Sequence, residues 1–124
     1  MTALRQSEAF ETDLVRLRRK YPHLDEDFQV LKIALETCMP RPEKIPGIVR
    51  ISGLGQELQQ LPFYKVRKFR SRDFPGKGNQ SGFRFIFAYL PNPGEIVFVE
   101  AYHKNKQENE DRHRILDVAR ALQQ

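Results

Sequence analysis

Three short stretches of this chain carry side chains that could act together on a phosphodiester. YKVRKFR, Tyr64 to Arg70, supplies Lys65 and Arg67 at i and i+2, hence on one face of any strand they occupy. SGFRFIFAY, Ser81 to Tyr89, supplies Arg84, and EIVFVEAYHK ends in Tyr102, His103 and Lys104. The arginine inside FRFIF is the least ordinary feature, because burying a guanidinium without a partner is costly. It reads either as an ion-paired residue holding a sheet together or as one aimed at a phosphate, where its planar fork outperforms an ammonium. His103 has the side chain suited to proton transfer near neutrality, with an unperturbed pKa of about 6.5. It also reads as an ordinary strand-end histidine, Tyr102 as a core residue and Lys65 as a solvated edge residue.

Other chemistries find little support. GKG near Gly76 lacks the spacing and the following Ser or Thr of a phosphate-binding loop, and no dinucleotide fingerprint is present. Cys38, His23, His103 and His113 show no metal-ligand spacing, so no metal or other cofactor is expected. Asp25 and Asp27 suit a helix start better than acid–base work.

The charge distribution points the same way. The net charge is +5, and from Pro62 to Lys106 nine Lys and Arg stand against three Asp and Glu, while the rest of the chain holds twelve against thirteen. The same segment carries ten of the thirteen Phe and Tyr residues. Cations for phosphates and flat rings for bases characterise nucleic-acid surfaces; a buried aromatic sheet with solvated basic edges has the same composition. A chain of 124 residues suits a single domain, 1–124, able to bury roughly two-thirds of its unfolded surface. The lone Cys38 asks for no oxidising compartment. No signal peptide and no apolar run near the ~18 residues of a membrane span are visible, so a soluble, cytoplasmic chain is expected.

The elements that must position these groups are legible in outline. Ser7 is placed to cap a helix with Phe10, Leu14, Leu17 and Tyr21 on one side, which Pro22 stops. A second helix from Asp25 carries Phe28, Leu31, Ile33, Ala34 and Leu35, giving an antiparallel pair. Met39 to Pro62 is broken by Pro and Gly, with a short strand possible in Ile48 to Ser52. Phe63–Arg70, Gly82–Leu90 and Glu95–Lys104 read as strands, the last two joined by the tight PNPG link. Ser71 to Ser81 is a long loop, a length often associated with function. IVFV, Ile96 to Val99, suits a strand covered on both faces. A last helix is expected from about Lys106, with Ile115, Ala119 and Leu122 along one side. The fold class is therefore α+β, a small twisted antiparallel sheet with an N-terminal helix pair packed on one face and a C-terminal helix.

The succession Y-K-V-R, S-G-F-R followed by apolar residues, and an apolar strand ending in Y-H-K resembles the RelE/ParE superfamily of toxins from toxin–antitoxin systems. F-E-T-D-L, Phe10 to Leu14, also fits that family's first helix, and the resemblance is strongest from Phe63 to Ile115. It implies a short N-terminal edge strand at Thr2 to Gln6. It further implies a metal-independent endoribonuclease that cuts messenger RNA on the ribosome, restrained by a cognate antitoxin protein. Lys65, Arg67 and Arg84 match the family's basic catalytic positions, and His103, after Tyr102, resembles the terminal catalytic histidine of some members. Where certain relatives carry an arginine just after the last strand, this chain has Lys104 and Asn105, and the 39–62 and 71–81 segments exceed the compact family core.

On this reading a ribose 2′-hydroxyl attacks the adjacent phosphate, leaving a cyclic phosphate and a free 5′-hydroxyl. His103 would move the proton, while Lys65, Arg67 and Arg84 neutralise the phosphorane. Tyr102 would stack on a base. Lys68, Arg70, Arg72, Lys77 and Lys104 would grip RNA phosphates. Two other functions fit the same surface: a ParE-like toxin that inhibits gyrase, since a fold does not settle a target, and a non-catalytic RNA-binding module.

Overall fold

The computed structural model describes residues 3–55, 61–92 and 94–122. In chain order these form β1 (Ala3–Gln6), α1 (Glu8–Lys20), α2 (Leu24–Cys38), a short 3-10 turn (Pro42–Lys44), β2 (Ile48–Arg50), β3 (Phe63–Val66), β4 (Phe83–Leu90), β5 (Glu95–His103) and α3 (Arg112–Leu122). The fold is α+β.

Local chemistry explains the helix pair. The Ser7 hydroxyl accepts from the Phe10 amide at 3.2 Å, Glu8 and Glu11 occupy the first turn of α1, and Arg18, Arg19 and Lys20 its last, as the helix dipole favours. In α2, Leu24, Phe28, Leu31 and Leu35 form one buried stripe at helical spacing. Ile33 falls off that stripe and is 57% exposed, so its apolar character does not make it core.

The sheet order is β1-β5-β4-β3-β2. It is mixed rather than wholly antiparallel, because β1 runs parallel to β5, Ala3 opposite Glu95 through Gln6 opposite Phe98. The direction of a four-residue edge strand leaves no mark on the alternation of its side chains, so sequence pattern alone could not show it. Residue 2, where the edge strand was expected to begin, lies outside the described residues. β3 is also shorter than the expected Phe63–Arg70; beyond Val66 the chain leaves the ladder and returns only as a bridge between Phe69 and Gln80.

Two apolar layers sandwich the sheet. On one face, Phe10 and Leu14 of α1 and Leu24, Phe28, Leu31 and Leu35 of α2 pack with Phe83, Phe85, Phe87, Ile96 and Phe98. On the other, Ile115 and Ala119 of α3 pack with Phe63, Ile86, Ala88, Val97, Val99 and Tyr102. Burial of each large side chain contributes roughly 1.5–3 kcal/mol. The IVFV run thus lies between two layers, as a continuous apolar strand requires.

A β-bulge interrupts β5. Phe87 pairs with Phe98 but Ile86 pairs with Glu100, leaving Val99 as the extra residue. Val97 and Val99 face α3; after the bulge the parity changes, Ala101 joins the helix-pair layer and Tyr102 the α3 layer.

The last helix starts at Arg112 rather than near Lys106. Residues 104–111 form turns anchored on the buried Glu100 carboxylate, which accepts from Gln107 Nε2 at 2.7 Å and from the Asp111 amide at 2.8 Å. The Asp111 side chain then accepts from the Arg114 amide at 3.2 Å and caps α3. Glu108, Glu110 and Asp111 therefore precede the helix rather than form its first turn, and only Asp111 is seen capping it. No helix among the described residues is long and apolar enough to cross a membrane.

Candidate nucleic-acid interface

At the end of the sheet where β3 and β5 finish and β4 begins, Arg67, Lys68, Arg84 and Lys104 line one open cleft of about 460 Å³. Gly47, Val49, Gln80 and Gly82 complete its walls, and among the described residues no carboxylate lines it. Alternation along β4 puts Arg84 on the same face as Ile86 and Ala88, the face that α3 covers farther along. Its Nη1 donates to the main-chain carbonyls of Arg67 at 2.9 Å and of Phe83 at 3.2 Å. The guanidinium is thus positioned by backbone, through one nitrogen.

Backbone geometry also builds the opposite wall. The Arg67 amide donates to the Gly47 carbonyl at 2.8 Å, and Gly47, at φ +88°, lies so close to Lys68 that an added Cβ would sit 2.5 Å from the lysine Cβ. The lysine stem packs where that side chain would be. Sequence reading missed Gly47, Val49 and Gln80 as cleft walls; Pro46-Gly47 was the available signal, but a Pro-Gly pair reads first as a turn.

His103 does not join this cleft. The β5 bulge turns it to the helix-pair side of the sheet, opposite Arg84, and it is 2% exposed. Its ring stacks on Phe74 with centroids 4.9 Å apart and on Tyr21 at 5.9 Å, and meets Phe83 edge-on at 5.1 Å. Nε2 lies 2.8 Å from the Ser81 carbonyl, and Nδ1 accepts from the Asn105 amide at 3.2 Å. This pattern fits the neutral ring protonated on Nε2. Burial holds its pKa below the usual histidine value, with the charges of Lys104, Arg84 and Lys20 acting in the same direction and the Ser81 carbonyl opposing them.

The remaining candidates divide. Lys65 is directed to the α3 side, where its ammonium pairs with Glu110 at 3.0 Å and sits over the Tyr102 ring, 5.9 Å from its centroid. Tyr102 is buried beneath it, so its ring is covered rather than presented to a base. Burial raises the phenol's pKa, partly offset by Lys65. Arg72 is tied to α2 through Asp27 at 3.1 Å and Glu26 at 2.6 Å, and Asp73 accepts from the His23 amide at 3.1 Å. The 71–81 loop is therefore docked on the helix pair. Arg70 and Lys77 are exposed and do not line this cleft.

Two buried carboxylates also escaped sequence reading. Asp13, 1% exposed, accepts from the Ala101 amide at 3.0 Å and pairs with Arg114 and Arg16. It lies where β1 no longer reaches along the β5 edge, so a side chain satisfies a backbone group that a strand would otherwise pair. Its position three residues after Phe10 and next to Leu14, within the apolar stripe of α1, was a usable signal. Glu100 is held above the usual carboxylate range by burial, which its hydrogen bonds and Arg114 partly offset. Neither carboxylate reaches the cationic cleft.

The cleft can hold a phosphodiester between two guanidinium and two ammonium groups and stabilise added negative charge there. Among the described residues no cluster of His, Cys, Asp and Glu is arranged to hold a metal ion. No protein-family model matches the chain, and no curated protein matches it.

Proposed function

We propose that this chain binds RNA through the cleft formed by Arg67, Lys68, Arg84 and Lys104 and acts as a RelE-like toxin on translated messenger RNA, with a cognate antitoxin as its partner. One observation carries the reading: four cations from three separate segments line one open cleft, with no carboxylate among the described residues that line it. Core arginines and lysines are expected to be paired; here Arg84 is aimed by main-chain carbonyls instead. The helix pair on one face and α3 on the other suit the RelE-like arrangement, and the order of the Y-K-V-R, S-G-F-R and Y-H-K stretches supports the same family.

The chemistry proposed is attack of a ribose 2′-oxygen on phosphorus with loss of the 5′-oxygen, the phosphorane being stabilised by Arg84 and Arg67. The 2′-proton leaves to solvent and the departing 5′-oxygen takes one from solvent or from an ammonium of the cleft. With His103 on the other face, this mechanism rests on charge stabilisation. That same position of His103 favours a second reading, a non-catalytic RNA-binding module using the identical cleft.

Purified protein added to a translating extract, followed by mapping of RNA 5′ ends, separates the two. Cleavage that Arg84→Ala abolishes in a folded protein supports the toxin reading. RNA binding lost in the same variant with messages left intact supports the module. Intact RNA, no RNA binding and arrested supercoiling by gyrase would overturn both in favour of a ParE-like activity.

A further inference from the structure

Beside the cleft lies a second basin of about 370 Å³ that shares Val49 and Arg67 with it. Lys65, Arg112 and Glu110 supply further charged side chains of its lining, and Arg50 borders it. The pairs Val49–Lys65 and Arg50–Tyr64 set Lys65 beside Val49 on the α3 face and turn the Arg50 side chain to the face of Tyr64. Arg112 arrives from the start of α3, where its Nη1 donates to the Gly53 carbonyl at 2.8 Å. Among the described residues, Lys65, Arg67 and Arg112 thus meet one carboxylate of this lining, and that carboxylate is committed to Lys65 at 3.0 Å, both side chains being largely buried.

We propose that this basin binds the next phosphate of the same RNA strand, and that Glu110 guards it as an internal anion which the incoming phosphate displaces from Lys65. The inference rests on the RNA-binding reading and extends the track from Lys104 to Arg112. A phosphate and a carboxylate are alternative partners for one ammonium, so the stronger the Glu110–Lys65 pair, the weaker the strand binds. The turn that carries Glu110 is held by Glu100 through Gln107 and Asp111, so Glu110 can release Lys65 by side-chain rotation without unfolding that turn. A ligand with a single phosphodiester fills the first cleft only; a longer strand must contend with the guard.

The test uses the full chain with two probes that resist cleavage, a 2′-O-methyl RNA hexamer and a 2′-O-methyl dinucleotide, in binding titrations across salt concentrations. Glu110→Gln is expected to tighten hexamer binding about fivefold or more and to steepen the salt slope by about 0.7, the contribution of one additional phosphate contact on a single strand. Arg112→Ala is expected to weaken the hexamer and leave the dinucleotide unchanged. Glu110→Asp, which shortens the side chain and loosens the pair, gives the same direction as Glu110→Gln should the latter fail to fold. Unchanged or weaker hexamer binding in folded Glu110 variants, or an equal loss for both probes in Arg112→Ala, overturns the proposal. Arg84→Ala separates the two levels: if it weakens both probes while the Glu110 and Arg112 variants do not behave as stated, only the second basin fails. If it weakens neither, the RNA-binding reading itself fails.

Discussion

Arg84 Nη1 donates to the main-chain carbonyl of Arg67 across 2.9 Å. One cation of the cleft is therefore positioned by the backbone of another, and β3 cannot shift without moving the guanidinium on β4. This coupling is why the two arginines are expected to fail together.

Arg84→Ala is expected to lower the rate of RNA cleavage by about 10²–10³, the usual cost of losing one preorganised charge-stabilising donor. Arg84→Lys should restore little, since an ammonium cannot hold two carbonyls and present a planar fork to a phosphate. Cleavage kinetics with a defined message, alongside circular dichroism, check this. Near wild-type rates in folded Arg84→Ala would remove the arginine from the mechanism.

His103→Gln tests the opposite expectation. The ring is enclosed and its nitrogens are engaged, so the variant should keep the pH profile of RNA cleavage. Stability is where it should act. Burial holds the folded-state pKa below the ordinary imidazole value of about 6.5, so the unfolded chain takes up the proton first as pH falls. Stability from this residue is fully present above about 6.5, declines as pH drops below that value, and stops declining once the folded ring titrates as well. Urea denaturation between pH 7.5 and about 4.5 should show that decline in the wild type and lose this component in His103→Gln. Glu100 contributes with the reverse sign, because its folded pKa is raised.

Gly82 has φ +97°, and a Cβ there would lie 2.7 Å from His103 Nε2 and 2.9 Å from Cε1. Because that ring is held on both sides, it cannot yield cheaply. Gly82→Ala should cost about 1–3 kcal/mol, read as a lower midpoint in chemical denaturation. An unchanged midpoint would mean that the ring has room that its packing denies.

Asp13→Ala removes the acceptor of the Ala101 amide and the partner of Arg114 in one step. A loss of about 3 kcal/mol is expected, in the range for breaking one side of a buried ion pair. Arg72→Ala makes the contrast. It releases exposed contacts to Glu26 and Asp27, so faster proteolysis within residues 71–81 is expected while RNA affinity changes little. A large affinity loss would return Arg72 to the RNA-gripping role that its charge first suggested.

Much of the fold was legible because its determinants are local. Ser7 as a cap, the stripes of α1 and α2, the PNPG hairpin and the doubly covered IVFV strand each need only neighbours within a few residues. The site was less so. Arg67 and Arg84 could be singled out as cations on adjacent strands, but Lys68 and Lys104 share their cleft through Gly47 and Gly82, far apart in the chain. Lys65 looked equivalent to Arg67 until Glu110, forty-five positions away, was found to hold it.

By itself the amino-acid order determined the α+β class, the concentration of cations and rings between Pro62 and Lys106, and the alternation that sets Lys65 and Arg67 on one face. Tertiary structure alone decided which side His103 takes. In an unbroken strand, residues 97, 99, 101 and 103 would share one face, and the imidazole would point toward Arg84. The single extra residue opposite the Ile86–Phe87 step reverses the parity, sending Tyr102 to that side and His103 to the other. A bulge is a property of two paired strands and their register, so alternation along one strand cannot reveal it.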